Sequence, residues 1–314
     1  MRFRNLGKTG LKVSELALGT WGLSGDGYGP VDAAERDRVL GRALDMGIRL
    51  IETADVYGAG QMERSIREAI GDRDDVVVVT KGGTDRSTSP PRKRFDAPFL
   101  RESVEKSLRR LGRSVLDVYL LHGPTAEVLL SGETVAILLE LKNEGKIGHW
   151  GVSAGNVAVG REALRSGAEV IEIAYNLLQP ADLHRLAGDI MVSGAGVLAR
   201  STLAYGLLAG HLTLARDFSP DDHRAQRWTK FELERRLEQV GAMRFLLNRD
   251  VQTFAAAAVR FVLANTIVSS AVLGPRSVVQ LEDLVRHVGM GPVYLRDGDL
   301  ARIPRALEVV GVES

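Results

Sequence analysis

Eight short apolar runs, each rich in β-branched residues and followed by a segment of helical periodicity, constrain this chain more than any other feature. They fall at Glu15–Thr20, Arg49–Thr53, Val76–Thr80, Leu116–Leu121, Gly148–Ser153, Glu169–Ala174, Gly196–Arg200 and Ile267–Leu273. Each is apolar almost without interruption, as strands buried on both faces must be. The intervening segments carry helix signals. Asp32-Ala-Ala-Glu35 reads as a capping box before Val39, Leu40, Ala43 and Leu44. Asp96 with Pro98 opens a face of Leu100, Val104, Leu108 and Leu111 that Gly112 closes. Ser277-Val-Val-Gln280 opens a final helix carrying Leu281, Leu284, Val285 and Val288. Eight strand–helix units predict an α/β fold of the (β/α)8 TIM-barrel type. A doubly wound sheet is the alternative, but it rarely holds eight units so evenly spaced.

The 314 residues suit one barrel with additions or two average domains, and the even spacing favours one barrel domain over residues 1–314. Forty-one basic and 40 acidic side chains nearly cancel, which argues against a protein built to bind nucleic acid or an anionic membrane. With no cysteine, disulfide scaffolds, zinc knuckles, iron–sulfur clusters and thiol catalysis are excluded. The start, Met1-Arg-Phe-Arg-Asn5, lacks an apolar run, and the longest uncharged stretches fall short of a membrane span. A soluble cytoplasmic protein is expected.

Three segments depart from the repeat. Phe3 to Val13, centred on Gly7-Lys-Thr-Gly10, predicts an N-terminal hairpin (residues 1–13) that closes the barrel's bottom. Gly82 to Ala97, with Arg86, Pro90-Pro91 and Arg92-Lys-Arg94, reads as a solvated loop, with an anion or substrate contact as its alternative. Residues 211–249 form a long insertion after strand seven, a loop around Phe218–Arg224 and then a helix from Leu233 to Leu247. Such insertions shape the substrate pocket. Residues 289–314 form a C-terminal segment.

Active sites of such barrels lie where the strands end. Strand two ends in Glu52-Thr-Ala-Asp-Val-Tyr57, strand three in Thr80-Lys81 and strand four in Leu121-His122. Strand five ends in Ser153, strand six carries Glu172 before Tyr175-Asn176, strand seven ends in Arg200-Ser201 and strand eight in Gly274-Pro-Arg-Ser277. A carboxylate, a tyrosine, a lysine and a histidine therefore converge from adjacent strands. A phenol with an ordinary pKa near 10 releases its proton more readily beside an ammonium. A carboxylate would hold that ammonium, and an imidazole can orient a carbonyl oxygen. The set can donate a proton to an oxygen becoming an alkoxide.

The chain resembles the aldo-keto reductase superfamily over nearly its whole length. The resemblance runs through Asn5-Leu-Gly-Lys-Thr-Gly-Leu-Lys-Val-Ser14, Thr53-Ala-Asp-Val-Tyr-Gly58 and Ser107-Leu-Arg-Arg-Leu-Gly112. It continues in Leu116-Asp-Val-Tyr-Leu-Leu-His122, Gly145-Lys-Ile-Gly-His-Trp-Gly-Val-Ser153, Tyr175-Asn-Leu-Leu178 and Leu207-Leu-Ala-Gly210. It implies a barrel enzyme that reduces aldehydes, ketones or sugar-like carbonyls with a nicotinamide cofactor. Tyr57 then corresponds to the general acid, Lys81 to the partner that lowers its pKa and His122 to the imidazole that orients substrate. Glu52 stands where the family has aspartate, its extra methylene moving the carboxylate about 1.5 Å.

The resemblance also implies a cofactor site. Ser153 and Glu172 take the nicotinamide amide, with Ala154 and Glu172 replacing the family's asparagine and glutamine and Asn156 as a substitute donor. Arg200 stacks on the nicotinamide ring, or pairs with Glu172 on the neighbouring strand. Ser201, Leu203 and Gly206 follow the pyrophosphate. Gly274, Arg276, Ser277 and Gln280 form the adenosine-phosphate segment at a helix N-terminus, and Arg276 favours NADPH. Leu284 replaces the asparagine expected near the adenine. Trp21 and Tyr28 supply substrate walls, and Gly22 to Gly29 reads as a substrate-side loop. Two other readings stand beside this one: a cofactor-binding regulatory or redox-sensing barrel with weak turnover, and a metal enzyme using Glu52, His122 and Glu172.

Overall fold

Alternation along a strand sends successive side chains to opposite faces, so an apolar run buried on both faces serves two cores. A computed structural model, describing residues 1–288 and 293–311, shows both. Strands β1 (Phe3–Asn5) and β2 (Lys12–Ser14) form the antiparallel N-terminal hairpin. The barrel begins with β3 (Leu16–Gly19), β4 (Leu50–Glu52) and β5 (Val77–Gly82). A two-stranded hairpin, β6 (Thr84–Asp85) and β7 (Arg92–Lys93), interrupts it. The barrel resumes with β8 (Leu116–His122), β9 (Ile147–Ser153), β10 (Val170–Ala174), β11 (Gly196–Arg200) and β12 (Ser270–Leu273). Those eight strands are parallel and close on themselves, β12 pairing with β3. All eight apolar runs of the sequence are strands of this (β/α)8 barrel.

Helices cover its outside. The first five are α1 (Ala33–Asp45), α2 (Gln61–Ile70), α3 (Ala97–Leu111), α4 (Ala126–Leu130) and α5 (Glu133–Asn143). After them come α6 (Val157–Arg165), α7 (Ala181–Ser193), α8 (Lys230–Ala242) and α9 (Phe254–Ala264). The last are α10 (Val278–Val288) and α11 (Asp297–Val309). Among the described residues no helix is long and apolar enough to cross a membrane.

One apolar cluster fills the barrel: Leu6, Val13, Ala17, Leu50, Val77, Val79, Val118, Leu120, Val170, Leu198 and Val272. The other lies between strands and helices and includes Leu16, Leu18, Ile51, Val78, Tyr119, Leu121, Ile171 and Val197. Each such buried aliphatic side chain contributes roughly 1.5–3 kcal/mol by leaving water. Leu6, fully buried, closes the barrel's bottom from the hairpin. Its neighbour Gly7 has φ +55°, and a Cβ there would lie 2.2 Å from the Gly196 nitrogen, so only glycine permits this approach.

Local signals held with adjustments. Asp96 caps α3 by accepting from the Phe99 N–H, and Gly112 ends it at φ +65°. Asp32 accepts from the Glu35 N–H at 3.1 Å, but the Glu35 carboxylate turns to the Val278 N–H instead of closing the box. Ser277 accepts from the Gln280 N–H at 3.2 Å, whereas Gln280 Oε1 reaches the Arg276 N–H, one residue before the box would place it. The insertion's helix is Lys230–Ala242 and not Leu233–Leu247, because the true capping box is Thr229 with Glu232. Residues 289–292 and 312–314 of the C-terminal segment lie outside the described residues, and between them stands α11, a helix the sequence reading left unassigned. The polar loop after β5 is folded into the β6–β7 hairpin.

Candidate active site at the strand ends

Two residues past each inward apolar residue, the same alternation puts a polar side chain inside the barrel at its C-terminal end. Leu50 leads to Glu52, Val79 to Lys81, Leu120 to His122, Val170 to Glu172 and Leu198 to Arg200. Strand register brings them level, with His122 opposite Ser153 and Ser153 opposite Glu172. All of these residues line one cavity of about 1110 Å³ that extends to Gly274, Arg276, Gln280, Asp283 and Leu284.

Lys81, only 1% exposed, sits at the floor in ion-pair contact with Glu52 and 3.5 Å from Glu172 Oε1. Burial draws its ammonium below the usual lysine range, and the Glu172 charge opposes that shift. An ammonium between two carboxylates occupies the position a metal ion would need. Among the described residues no cluster of three His, Cys, Asp or Glu side chains is arranged to hold a metal, so the Glu52–His122–Glu172 ligand set is not formed.

Tyr57 comes from the turn after β4, and its ring centre is 5.3 Å from Lys81 Nζ. The His122 ring stands edge-on to it, 6.1 Å between centroids at 86°. Burial first, and the Glu172 carboxylate second, hold the Tyr57 phenol above its ordinary pKa. The charge that opposes this shift is that of Arg200, not the Lys81 expected from the sequence, and it is outweighed, so Tyr57 keeps its proton. Burial, followed by the charges of Lys81, Lys93 and Arg200, holds His122 well below the usual imidazole value. At neutral pH it is uncharged, with Nδ1 buried and without a hydrogen-bond partner.

Arg200 donates to the Ala154 carbonyl at 3.0 Å and lies 3.5 Å from Ser201 Oγ, not in an ion pair with Glu172. Its Nε and Glu172 Oε2 are both buried without a protein partner. Buried polar atoms are ordinarily satisfied, so three such atoms around one cavity fit a polar ligand that completes them. Asn156, expected as a substitute donor, is exposed and is not among the residues that line the cavity. Its side chain caps α6 by accepting from the Val159 N–H at 3.0 Å. After β11 the backbone turns through left-handed conformations at Ser201 (φ 57°), Ala204 (φ 46°), Tyr205 (φ 59°) and Gly206 (φ 95°). Non-glycine residues adopt these at a cost, which characteristically concentrates at functional loops. Ser201, Leu203 and Gly206 all line the cavity here.

At the far end, the Arg276 guanidinium donates to the carbonyls of Gly22 (3.3 Å), Gly29 (2.9 Å) and Pro30 (3.1 Å). It ties the loop after β3 to the start of α10. Glu35 Oε1 accepts from the Val278 N–H at 2.8 Å, so a carboxylate already stands at this helix N-terminus. Ser277 Oγ serves as the cap, and Gln280, Asp283 and Leu284 face the cavity.

Trp21 and Tyr28 pack edge-to-face with centroids 5.1 Å apart, and His223 from the insertion packs against both at 4.8 Å. His223 N–H donates to the Gly27 carbonyl at 2.8 Å, so the first loop and the insertion meet over the cavity. The sequence reading missed His223, Tyr205 and Arg227. The Arg227 guanidinium lies over the Tyr205 ring, 3.3 Å from its centre. No motif marks such contacts, although arginine and aromatic residues in an insertion are a usable signal. Lys93, beside His122, lines the cavity as well.

Comparison with known proteins agrees with this architecture. The model of the Aldo/keto reductase family matches residues 15–302. Aldo-keto reductase YhdN of Bacillus subtilis is 31% identical over 298 residues, 92% of this chain and 89% of that protein. The NADH-specific methylglyoxal reductase of Escherichia coli is 34% identical, covering 71% of this chain and 73% of its own length. The structure of glycerol dehydrogenase AKR11B4 from Gluconobacter oxydans superposes with a TM-score of 0.85 at 27% identity, covering 99% of this chain and 97% of that one. With a matching family model over most of its length and a closed barrel that carries Tyr57, Lys81 and His122 in one cavity, the chain belongs to the aldo/keto reductase family of oxidoreductases.

Proposed function

We propose that this protein reduces the carbonyl group of an aldehyde, ketone or sugar-like compound to an alcohol, with Tyr57 as the proton donor. The observation that carries this reading is the edge-to-face pair of Tyr57 and His122 above the buried Lys81–Glu52 ion pair. A nicotinamide dinucleotide bound along the cavity supplies the hydride. Tyr57, protonated because it is buried, gives its hydroxyl proton to the carbonyl oxygen as that oxygen gains charge. The neutral His122 imidazole donates a hydrogen bond to the same oxygen and fixes its position. Lys81 stabilises the phenolate left on Tyr57, and Glu52 holds Lys81 in place.

For the dinucleotide, Glu172 Oε2 and Ser153 would hold the carboxamide, and Arg200 would lie flat against the ring. Ser201, Leu203 and Gly206 would border the pyrophosphate. Gly274, Arg276 and Gln280 line the cavity and would take the adenosine end, with Ser277 beside them as the helix cap, and there the Arg276 charge favours the extra phosphate of NADPH. A relative described as NADH-specific makes this preference a point for measurement. Its substrate, methylglyoxal, is a small dicarbonyl consistent with this class.

The test is direct. NADPH added to the purified protein quenches tryptophan fluorescence, Trp21 lying on the cavity wall. A panel of carbonyl compounds then oxidises NADPH with loss of absorbance. Absence of binding by either dinucleotide at high micromolar concentration refutes the reading.

A further inference from the structure

We propose that the physiological substrate is a carbonyl compound bearing an anionic group, carboxylate or phosphate, held by Lys93 and Arg86 beside the reacting carbonyl. This rests on the carbonyl-reductase reading above. Both cations belong to the polar segment between β5 and α3. Alternation along β7 and the residue after it separates three consecutive basic side chains. Arg92 and Arg94 share one side, where both reach Asp85 Oδ2 at 3.2 and 3.5 Å. Lys93, on the other side, extends its ammonium to the main-chain carbonyl of His122 and to Thr84 Oγ1 at 2.9 Å.

Arg86 makes a parallel contact. Its Nη1 donates at 2.7 Å to the carbonyl of Val56, the residue before Tyr57. Two positive charges are therefore pinned to the backbone of His122 and to that of Val56, next to Tyr57. Both line the cavity. An ammonium has three N–H donors, and the two acceptors named leave Lys93 one more to offer.

The counter-charges are few. Asp26 lies 3.5 Å from Arg86, and among the described residues no carboxylate forms an ion pair with Lys93. Burial draws the Lys93 ammonium below the usual lysine range and Asp55 opposes that shift from the interior, but burial raises the Asp55 carboxyl to about 7, so it is only partly ionised near neutrality. Asp85 is committed to Arg92 and Arg94 and forms no ion pair with Lys93 or Arg86. A neutral substrate would leave the third Lys93 donor unused. A purely structural peg would need only the His122 and Thr84 contacts.

The experiment compares matched aldehydes once NADPH binding has been verified by fluorescence. Butanal and succinic semialdehyde test the carboxylate, and glyceraldehyde and glyceraldehyde 3-phosphate test the phosphate. In at least one pair the charged member has the higher kcat/KM, by about 10- to 100-fold, the range of a hydrogen bond to a charged group. Added salt narrows the gap. Lys93→Met removes most of it through KM, with a smaller loss on the neutral member, and Arg86→Met moves it the same way. Equal kcat/KM within both pairs, or a Lys93→Met loss that is equal for charged and neutral members, overturns the proposal. If NADPH binds and other carbonyl compounds of the panel are reduced but none of these four is, this proposal fails while the reductase reading stands.

Discussion

Glu52 occupies the space that Gly19 leaves on the neighbouring strand: a Cβ at Gly19 would lie 3.1 Å from Glu52 Oε2 and 2.7 Å from Val272 Cγ1. The two residues are register partners across β3 and β4. The missing side chain is what leaves room for the glutamate to reach Lys81. Gly19→Ala therefore displaces Glu52 and loosens Lys81. Turnover falls by about 10-fold, of the order expected when a positioning group shifts by an ångström. Adding Glu52→Asp restores part of it, whereas unchanged turnover in Gly19→Ala would show that the contact does not matter.

Tyr57→Phe removes the proposed proton donor and little else, because the ring remains against His122. We expect kcat to drop by about 10²- to 10⁴-fold while the NADPH dissociation constant stays within threefold. Fluorescence titration beside steady-state kinetics separates the two quantities. Normal turnover in the variant would exclude Tyr57 as the acid.

Asp55 supplies a pH signature of stability. Burial, aided by the Glu63 charge and opposed by Ser103 and Arg110, raises its carboxyl from 3.8 to about 7. A group with a raised folded-state pKa contributes stability fully present below the unfolded value and lost as pH rises through the folded one. The native protein thus loses this contribution between about pH 4 and 7, and Asp55→Asn does not. The melting temperature of Asp55→Asn relative to the native chain climbs from pH 5 to pH 8. A difference independent of pH would contradict the assignment.

The adenosine end offers opposed substitutions. Arg276→Ala weakens NADPH binding by about 10-fold more than NADH binding, since only NADPH offers a 2′-phosphate to the guanidinium. NADH affinity also declines, because Arg276 anchors the loop at Gly22, Gly29 and Pro30. Glu35→Gln removes a negative charge from the N-terminus of α10, so NADPH affinity increases. Equal effects on both dinucleotides from each variant would show that no 2′-phosphate is read there.

The barrel was legible because its signal is local and repeated. Each buried strand is a run of β-branched residues, and two-residue alternation turned Leu50, Val79, Leu120, Val170 and Leu198 into pointers to Glu52, Lys81, His122, Glu172 and Arg200. Those side chains must meet once eight such strands close, whatever the helices do. The helix caps at Asp32, Asp96 and Ser277 were read nearly as well, since each acts on the N–H group three residues away, whereas the Thr229 cap was missed. The start of α8 was misplaced only because its apolar face begins later than its cap.

What lay beyond the sequence was every property that depends on distant neighbours. Tyr57 is held above and not below its ordinary pKa because the folded barrel removes water and places Glu172 nearby. Arg200 turns to the Ala154 carbonyl and Asn156 to its own helix, choices set by the competition of many acceptors in the closed structure. Lys93 reaches His122 only because a two-stranded hairpin aims it there. The chain by itself determined a closed barrel and the polar residues at its rim, since periodicity is written residue by residue. Tertiary structure alone decided their charge states and partners, because desolvation and hydrogen bonding depend on what the fold brings near.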